Sequence, residues 1–261
     1  TFLRYPDGAL PSLRNFLSKV VPASLRRAQL VIADSQATKD DLIELYRVDA
    51  ERIAVVYAGV DARFRPVRDA SVLAQTRAQY RLERPFVLGV GTLEPRKNFV
   101  GLIRAFTLLQ REHPSLPHDL VIVGRDGWRY EPIHEEARRA GARVRLLGYV
   151  DDADLPTLYS LAAAYCMPSH YEGFGIPCIE AMACGTPVVC SNRPCLPEIV
   201  GDAALLVSPD DIGALAENLY RALSDTALRA RLTAAGLARA NVFTWERAGE
   251  SLLAAYQQVG G

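Results

Sequence analysis

From residue 77 onward, the pattern of hydrophobic and polar positions divides the chain into segments of two kinds, which alternate. Stretches whose apolar residues recur at helical spacing predict helices at residues 99–111, 131–140, 153–161, 177–184 and 196–200. Between them, short and continuous apolar runs predict buried strands at residues 86–90, 120–123, 144–147, 164–167, 187–190 and 204–207. Continuous apolar strands that alternate with helices are typical of a parallel sheet covered on both faces, so this part of the chain predicts an α/β fold.

The two ends of the chain follow different patterns. At the start, residues 11–28 predict a helix that is interrupted or kinked at Pro22, and strands are predicted at residues 30–33 and 53–57. The pattern restarts after residues 64–66, which predicts a linker there. At the other end, helices are predicted at residues 212–223, 228–237 and 245–259.

Residues 169–185, SHYEGFGIPCIEAMACG, combine a glycine-rich turn with a helix. Pro177 suits a first helical position and Gly185 the residue just past a helix end, so the helix is predicted at residues 177–184. Its N-terminus exposes backbone N–H groups and the positive end of a dipole. The segment therefore predicts an anion site with two carboxylates, Glu172 and Glu180, beside it.

The two carboxylates invite comparison with the acid and nucleophile pairs of glycoside hydrolases. However, Glu172 is predicted in the loop and Glu180 in the first turn of the helix, so they should face different parts of a ligand. The simpler alternatives are an exposed loop charge for Glu172 and a carboxylate favoured by the helix dipole for Glu180.

Residues 89–98, GVGTLEPRKN, form a second candidate site. The beginning imitates the dinucleotide-binding fingerprint, but Glu94 stands where its third glycine belongs, so a dehydrogenase is disfavoured. Ligands bind outside the carboxyl ends of parallel strands, where the turns at Gly91, Gly124, Gly148 and Gly173 should gather. At that edge, facing a helix N-terminus, Arg96 and Lys97 predict a pyrophosphate clamp, with solvated loop charges as the alternative.

Composition and charge exclude several partners. The 30 basic and 30 acidic residues of the 261-residue chain cancel, so no overall field would hold nucleic acid. No apolar run approaches the ~20 residues of a membrane-spanning helix, and no signal sequence opens the chain. The expected location is the cytoplasm. The five cysteines are expected to be free core thiols, and no spacing of potential ligands predicts a metal site.

The first helix carries Arg14, Lys19, Arg26 and Arg27 outside its apolar stripe. The simpler interpretation is a surface helix with a solvated basic face. The alternative is a patch that contacts a membrane or a polyphosphate acceptor, which would place the protein peripherally on the inner membrane face.

The motif Glu172-x7-Glu180 with Gly-Phe-Gly between, together with VGTLEPRKN, closely resembles the retaining glycosyltransferases of family 4. These enzymes have the GT-B fold of two Rossmann-like lobes. The resemblance continues through VVYAGVD at residues 55–61, LGYV at residues 147–150 and CGTPV at residues 184–188, and it covers essentially the whole chain. Many members carry arginine where this chain has Thr92, and here the arginine occurs instead as Arg96.

The resemblance implies a nucleotide-sugar site in the C-terminal lobe. In such a site Glu172 contacts the donor sugar, Glu180 the ribose hydroxyls, and Arg96 and Lys97 the diphosphate. The catalytic residues are accordingly expected to be Glu172, Arg96 and Lys97. The donor-binding residues are expected to be Gly91, Thr92, Gly124, Tyr149, Val150, Gly173, Phe174, Gly175, Ile176 and Glu180, with the backbone near Tyr149 and Val150 at the base.

The implied reaction is transfer of a hexose from a nucleotide diphosphate to an acceptor hydroxyl, with retained configuration and without a bound metal or other cofactor. The form of residues 91–98 is similar to that of transferases that build surface polysaccharides with mannose or rhamnose. GDP-mannose is therefore the first donor expected, and the acceptor is a saccharide or a lipid-linked saccharide. Two alternatives remain open: a nucleotide-sugar-binding module without activity, and another GT-B enzyme such as an epimerase or a phosphorylase.

The resemblance also predicts a division of the chain. Residues 1–63 are expected to be the end of an N-terminal acceptor lobe, residues 64–240 the nucleotide-sugar lobe, and residues 241–261 a helix that crosses back toward the first lobe. Since Thr1 is not a methionine and most of the first lobe is missing, the sequence is expected to be an N-terminally truncated fragment.

Overall fold

The computed structural model describes residues 3–6 and 10–260. Its strands are β1 (Val31–Ala33), β2 (Ile53–Val55), β3 (Phe86–Val90), β4 (Asp119–Val123), β5 (Val144–Gly148), β6 (Ala164–Met167), β7 (Val188–Ser191) and β8 (Ala204–Val207). Its helices are α1 (Pro11–Arg27), α2 (Gln36–Tyr46), α3 (Ala70–Gln79), α4 (Phe99–Glu112), α5 (Glu131–Ala140), α6 (Leu155–Leu161), α7 (Ile176–Ala183), α8 (Leu196–Val200), α9 (Ile212–Ser224), α10 (Thr226–Ala240) and α11 (Trp245–Gly260).

The strands form two parallel sheets, which confirms the predicted α/β fold. β1 and β2 make a small sheet, and the other six strands make a larger one in the order β5-β4-β3-β6-β7-β8. The chain order of the larger sheet reverses between β3 and β6. Ligands of open parallel sheets bind at such a switch point, outside the carboxyl ends of the strands. The loops that follow β3 and β6 are therefore the first place to look for a site.

Both faces of the larger sheet are buried, as the continuous apolar runs predict. Val87 and Leu88 are adjacent in β3 and fully buried, and they pack into two different hydrophobic clusters on opposite faces. One cluster includes residues of α6, α7 and α8, and the other includes residues of α4, α5 and α9. All five cysteines are buried free thiols, as expected.

Glycines bring three strand ends close together at the carboxyl edge. The Gly91 N–H donates to the Val123 carbonyl at 2.9 Å, and the Gly124 N–H donates to the Gly148 carbonyl at 2.8 Å. A Cβ at Gly124 would lie 1.9 Å from the Gly91 oxygen, so only glycine permits this approach. The predicted gathering at one edge is confirmed here for the turns at Gly91, Gly124 and Gly148.

One local prediction is wrong in part, and one helix was not predicted. α1 is a single helix that contains Pro22, so the predicted interruption does not occur. α3 was not predicted, because its apolar side chains are spread around its axis and Thr76 is its one buried residue among those described. Its start is nevertheless well defined, since Asp69 accepts hydrogen bonds from the N–H groups of Ser71 and Val72.

The end of the chain packs against the segment that follows β2. The Val60 N–H donates to the Phe243 carbonyl at 2.9 Å, and a Cβ at Gly59 would lie 2.3 Å from the Trp245 nitrogen. The first turn of α11 thus lies directly on residues 59–60. Within the described ranges, no helix is both long and apolar enough to cross a membrane.

Candidate functional site

The loop after β3 presents two cations from a short 3-10 turn. Residues Pro95–Lys97 form this turn, and Asn98 ends it in the left-handed conformation at φ 55°. The Asn98 side chain caps α4 by accepting from the Gly101 N–H at 3.2 Å, and its amide donates to the Pro209 carbonyl at 2.8 Å. These contacts hold the turn, and with it Arg96 and Lys97, against the end of the sheet.

Glu172, in the loop after β6, joins the two cations. Lys97 Nζ donates to Glu172 Oε1 at 2.8 Å, and Arg96 Nη1 donates to Glu172 Oε2 at 2.7 Å. The Glu172 side chain is only 9% exposed, and those of Lys97 and Arg96 are 11% and 17% exposed. The structure therefore brings the three predicted catalytic residues into one nearly buried cluster at the switch point of the sheet.

A second carboxylate completes the charge balance of this cluster. Glu94 Oε1 accepts from Arg96 Nη2 at 2.6 Å. Burial alone would raise the pKa of Glu172, but Lys97 and Arg96 outweigh it and hold that pKa below its ordinary value. Glu172 is thus ionised at neutral pH, and the two cations face two carboxylates. From the sequence, Glu94 was significant only because it replaces the third glycine of the dinucleotide-binding fingerprint. Its contact with Arg96 was not predicted.

The N-terminus of α7 lies beside this cluster in the same loop. Gly175, at φ 102°, precedes the helix, and a Cβ there would lie 2.6 Å from Leu196 Cδ2. Both the conformation and the space favour glycine at this position. Ile176 begins the helix and is 41% exposed, and no side chain caps the helix start. Pro177 has no N–H and the Cys178 N–H donates to the Gly175 carbonyl at 2.9 Å, so the Ile176 N–H is the group at this helix start that could serve an anion.

Glu180 occupies a different environment from Glu172. It is the fifth residue of α7, in the second turn rather than in the predicted first turn, because the helix begins at Ile176. Its Oε2 accepts from the buried Tyr159 hydroxyl at 2.9 Å. Burial raises the pKa of Glu180, although the Tyr159 hydrogen bond acts in the opposite direction. The two acids thus contact separate partners, as the sequence predicts, and no sequence signal pointed to Tyr159.

The remaining predicted donor-binding residues differ in what they can offer a ligand. Tyr149 is 57% exposed, with the Arg125 guanidinium 4.3 Å from its ring centroid. Val150 is buried in the core. Phe174 is also buried, with its ring 6.0 Å from Tyr57 and 5.7 Å from Phe243, centroid to centroid. For Val150 and Phe174 only the backbone can serve a ligand.

Gly91 and Gly173, two of the small residues predicted to bind the donor, lie beside Lys97 and Glu172. The position of a Gly91 Cβ is 3.2 Å from Lys97 Cε, so a side chain at residue 91 would press on the lysine. The Thr92 methyl group packs against Gly127, and Gly173 directly follows Glu172. In the part of the chain that the structure describes, no group of three or more potential metal ligands occurs.

Comparison with known proteins is decisive for the family. Residues 74–239 match the family model described as glycosyl transferases group 1, and residues 1–64 match the one described as glycosyltransferase family 4. The chain belongs to the group 1 glycosyltransferases. It is 37% identical over 245 residues to O-antigen chain mannosyltransferase B of Escherichia coli. The match covers 93% of this chain and 64% of that protein. The chain therefore spans less than two thirds of that relative.

Solved structures confirm the expected GT-B fold of this group 1 chain. Sucrose-phosphate synthase from Thermosynechococcus elongatus superposes with a TM-score of 0.81 at 30% identity, over 98% of this chain and 65% of that one. HepE from Anabaena, solved in complex with UDP-glucose, gives a TM-score of 0.80 at 25% identity, over 96% of this chain and 68% of that one.

Proposed function

We propose that this chain provides the donor site of a retaining glycosyltransferase. The observation that carries the proposal is the buried cluster of Arg96, Lys97 and Glu172, which lies at the switch point of the sheet beside the start of α7. Two cations and a helix N-terminus suit a diphosphate. A carboxylate next to them suits a sugar hydroxyl, and a second one, Glu180, lies farther along α7 for the ribose.

In the proposed reaction, the bond between the anomeric carbon and the diphosphate breaks while an acceptor hydroxyl takes the sugar with retained configuration. Negative charge grows on the departing diphosphate. Arg96, Lys97 and the Ile176 N–H at the start of α7 stabilise this charge in a site that excludes most water. In this proposal, the two side-chain cations do so without a bound metal or other cofactor.

We infer that the sugar is a hexose, with mannose from GDP-mannose as the first candidate. The likeness to O-antigen chain mannosyltransferase B supports mannose, whereas the HepE structure contains UDP-glucose. The acceptor is proposed to be a saccharide or a lipid-linked saccharide in polysaccharide or glycolipid assembly. We also propose that α1 contacts the inner face of the membrane peripherally. The apolar side chains of Leu13, Phe16 and Val20 support this proposal, because they are exposed on α1 near Lys19.

Binding and product formation test this proposal separately. A thermal-shift panel of GDP-, UDP- and ADP-linked hexoses, followed by calorimetry, should identify one preferred donor. Mass spectrometry of a reaction with saccharide acceptors should then show one added hexose, and NMR of the product should show the anomeric configuration of the donor. Donor binding without product would support the inactive binding module, and turnover without acceptor would support an epimerase or a phosphorylase.

Replacing Glu180 with glutamine is expected to raise the melting temperature at about pH 8. Burial raises the pKa of Glu180 in the folded state, so its ionised form destabilises the fold above that pKa. This cost disappears below the glutamate pKa of the unfolded chain, about 4.3. The difference in melting temperature between variant and parent should therefore shrink as the pH falls. Differential scanning calorimetry across this pH range measures it, with exposed Glu217→Gln as the control.

The same side chain is expected to support binding. Glu180→Ala should weaken nucleotide affinity in calorimetry, because the proposed acceptor for the ribose hydroxyls is lost. Unchanged affinity would mean that Glu180 has only a structural role in α7.

A further inference from the structure

Helix α2 holds the segment that carries Glu172 from both sides. The Ser35 hydroxyl, buried at the start of α2, donates to the Gly173 carbonyl at 2.7 Å. On the other side of Glu172, the Tyr171 hydroxyl donates to Asp41 Oδ2 at 2.5 Å. Both neighbours of Glu172 are therefore hydrogen-bonded to the first two turns of a helix that lies outside the larger sheet.

Tyr171 also contacts the cation cluster directly. Its carbonyl accepts from Arg96 Nη1 at 2.8 Å, and the same nitrogen donates to Glu172 Oε2 at 2.7 Å. The Tyr171 side chain is buried, and burial together with Asp41 raises the pKa of its hydroxyl, which therefore remains a donor at neutral pH. One residue thus joins α2 to both Arg96 and Glu172.

A second anchor joins α2 to Glu198 of α8 without touching Glu172. The Glu198 carboxylate accepts from the Gln36 N–H at 2.7 Å, from the Ala37 N–H at 3.2 Å and from the Tyr57 hydroxyl at 2.7 Å. The start of α2 is therefore fixed in two independent ways. Tyr57 and Tyr171 each donate a hydroxyl to a carboxylate in this interface, so the more exposed Tyr57 serves as the comparison for the buried Tyr171.

We propose that Tyr171 is a positioning residue, through which α2 sets the places of Glu172 and Arg96. The inference rests on the proposed function, in which Glu172 contacts the donor sugar and Arg96 the diphosphate. Because catalysis depends on donors and acceptors held in place before the reaction, a loosened 171–173 segment would lower turnover more than ground-state binding. The position of α2, which belongs to the predicted acceptor lobe, is thereby transmitted to the donor site.

The kinetic test compares Tyr171→Phe with Tyr57→Phe in the full-length protein. Tyr171→Phe keeps the buried ring and removes a hydrogen bond to a charged acceptor, so kcat for transfer from GDP-mannose should fall about tenfold. Affinity for GDP, measured by calorimetry, should change by less than about twofold, because the cations remain. Tyr57→Phe should leave kcat unchanged. Equal losses of kcat in both variants would overturn the proposal, since they would indicate a general weakening of the interface.

A second readout does not depend on activity. Asp41 Oδ1 also accepts from Arg4 Nε at 2.7 Å, so the change is made at the tyrosine: hydrogen–deuterium exchange in residues 169–175 should accelerate in Tyr171→Phe and stay unchanged in Tyr57→Phe. Exchange that is unchanged in Tyr171→Phe would overturn the positioning role. If the parent protein transfers no sugar while exchange responds as expected, the proposed function fails and the contact between α2 and the Glu172 segment stands.

Discussion

Replacing Lys97 with alanine is expected to lower the rate of glycosyl transfer about 10²–10³-fold and to leave the fold intact. The Lys97 ammonium is nearly buried, 2.8 Å from Glu172 Oε1, so its charge acts in a site with little water to screen it. In the proposed reaction this charge compensates the departing diphosphate. Steady-state kinetics of the full-length protein with GDP-mannose measure the rate, and thermal melting measures the fold.

A double variant separates catalysis from electrostatic damage. Lys97→Ala leaves Glu172 with Arg96 as a partner, yet part of any loss could come from an excess of buried negative charge. Adding Glu94→Gln removes one carboxylate of the cluster and restores its charge balance without changing Glu172, so recovered activity in the double variant would assign the loss to the excess negative charge. No recovery is expected. Near-normal turnover by Lys97→Ala itself would contradict the assignment of the cation to the diphosphate.

The fold could be predicted closely because buried parallel strands leave a clear signal. β3, for example, is an apolar run that is followed by Gly91, and its residues fill both faces of the core. α3 left no such signal, since a helix that buries little has no reason to concentrate its apolar residues on one face. The predicted domain boundaries remain a prediction.

The part of the site that follows from the topology of the sheet, namely which loops meet, could be predicted. Loops after β3 and β6 meet because parallel strands present their carboxyl ends together, and this brings Arg96 and Lys97 to Glu172. The direct ion pairs were not predicted, because they depend on how two loops 75 residues apart settle against each other. The contact of Tyr171 with Asp41 has the same origin, since no local motif marks a hydroxyl that meets a carboxylate 130 residues away.

Replacing Glu172 with glutamine is expected to strengthen GDP binding and to slow glycosyl transfer. Both Glu172 oxygens are bound to cations in this structure, at 2.8 Å from Lys97 and 2.7 Å from Arg96. The carboxylate is ionised, since these cations hold its pKa below the ordinary value against the effect of burial. It therefore competes with a diphosphate for the same two donors. When Glu172 is replaced by glutamine, GDP should bind about tenfold more tightly. This is the effect expected when GDP no longer has to displace one charge-assisted hydrogen bond from the cations.

Transfer should nevertheless fall, by about 10²-fold, because glutamine cannot supply the charged acceptor proposed for the donor sugar. Calorimetry with GDP and kinetics with GDP-mannose measure the two effects, and Glu94→Gln is the matched control. Glu94 also neutralises Arg96, at 2.6 Å, so its removal should tighten GDP binding to a smaller degree while transfer changes little. If Glu172→Gln weakened GDP binding and transfer together, Glu172 would be a structural partner of the cations, and the diphosphate would have to bind without displacing it.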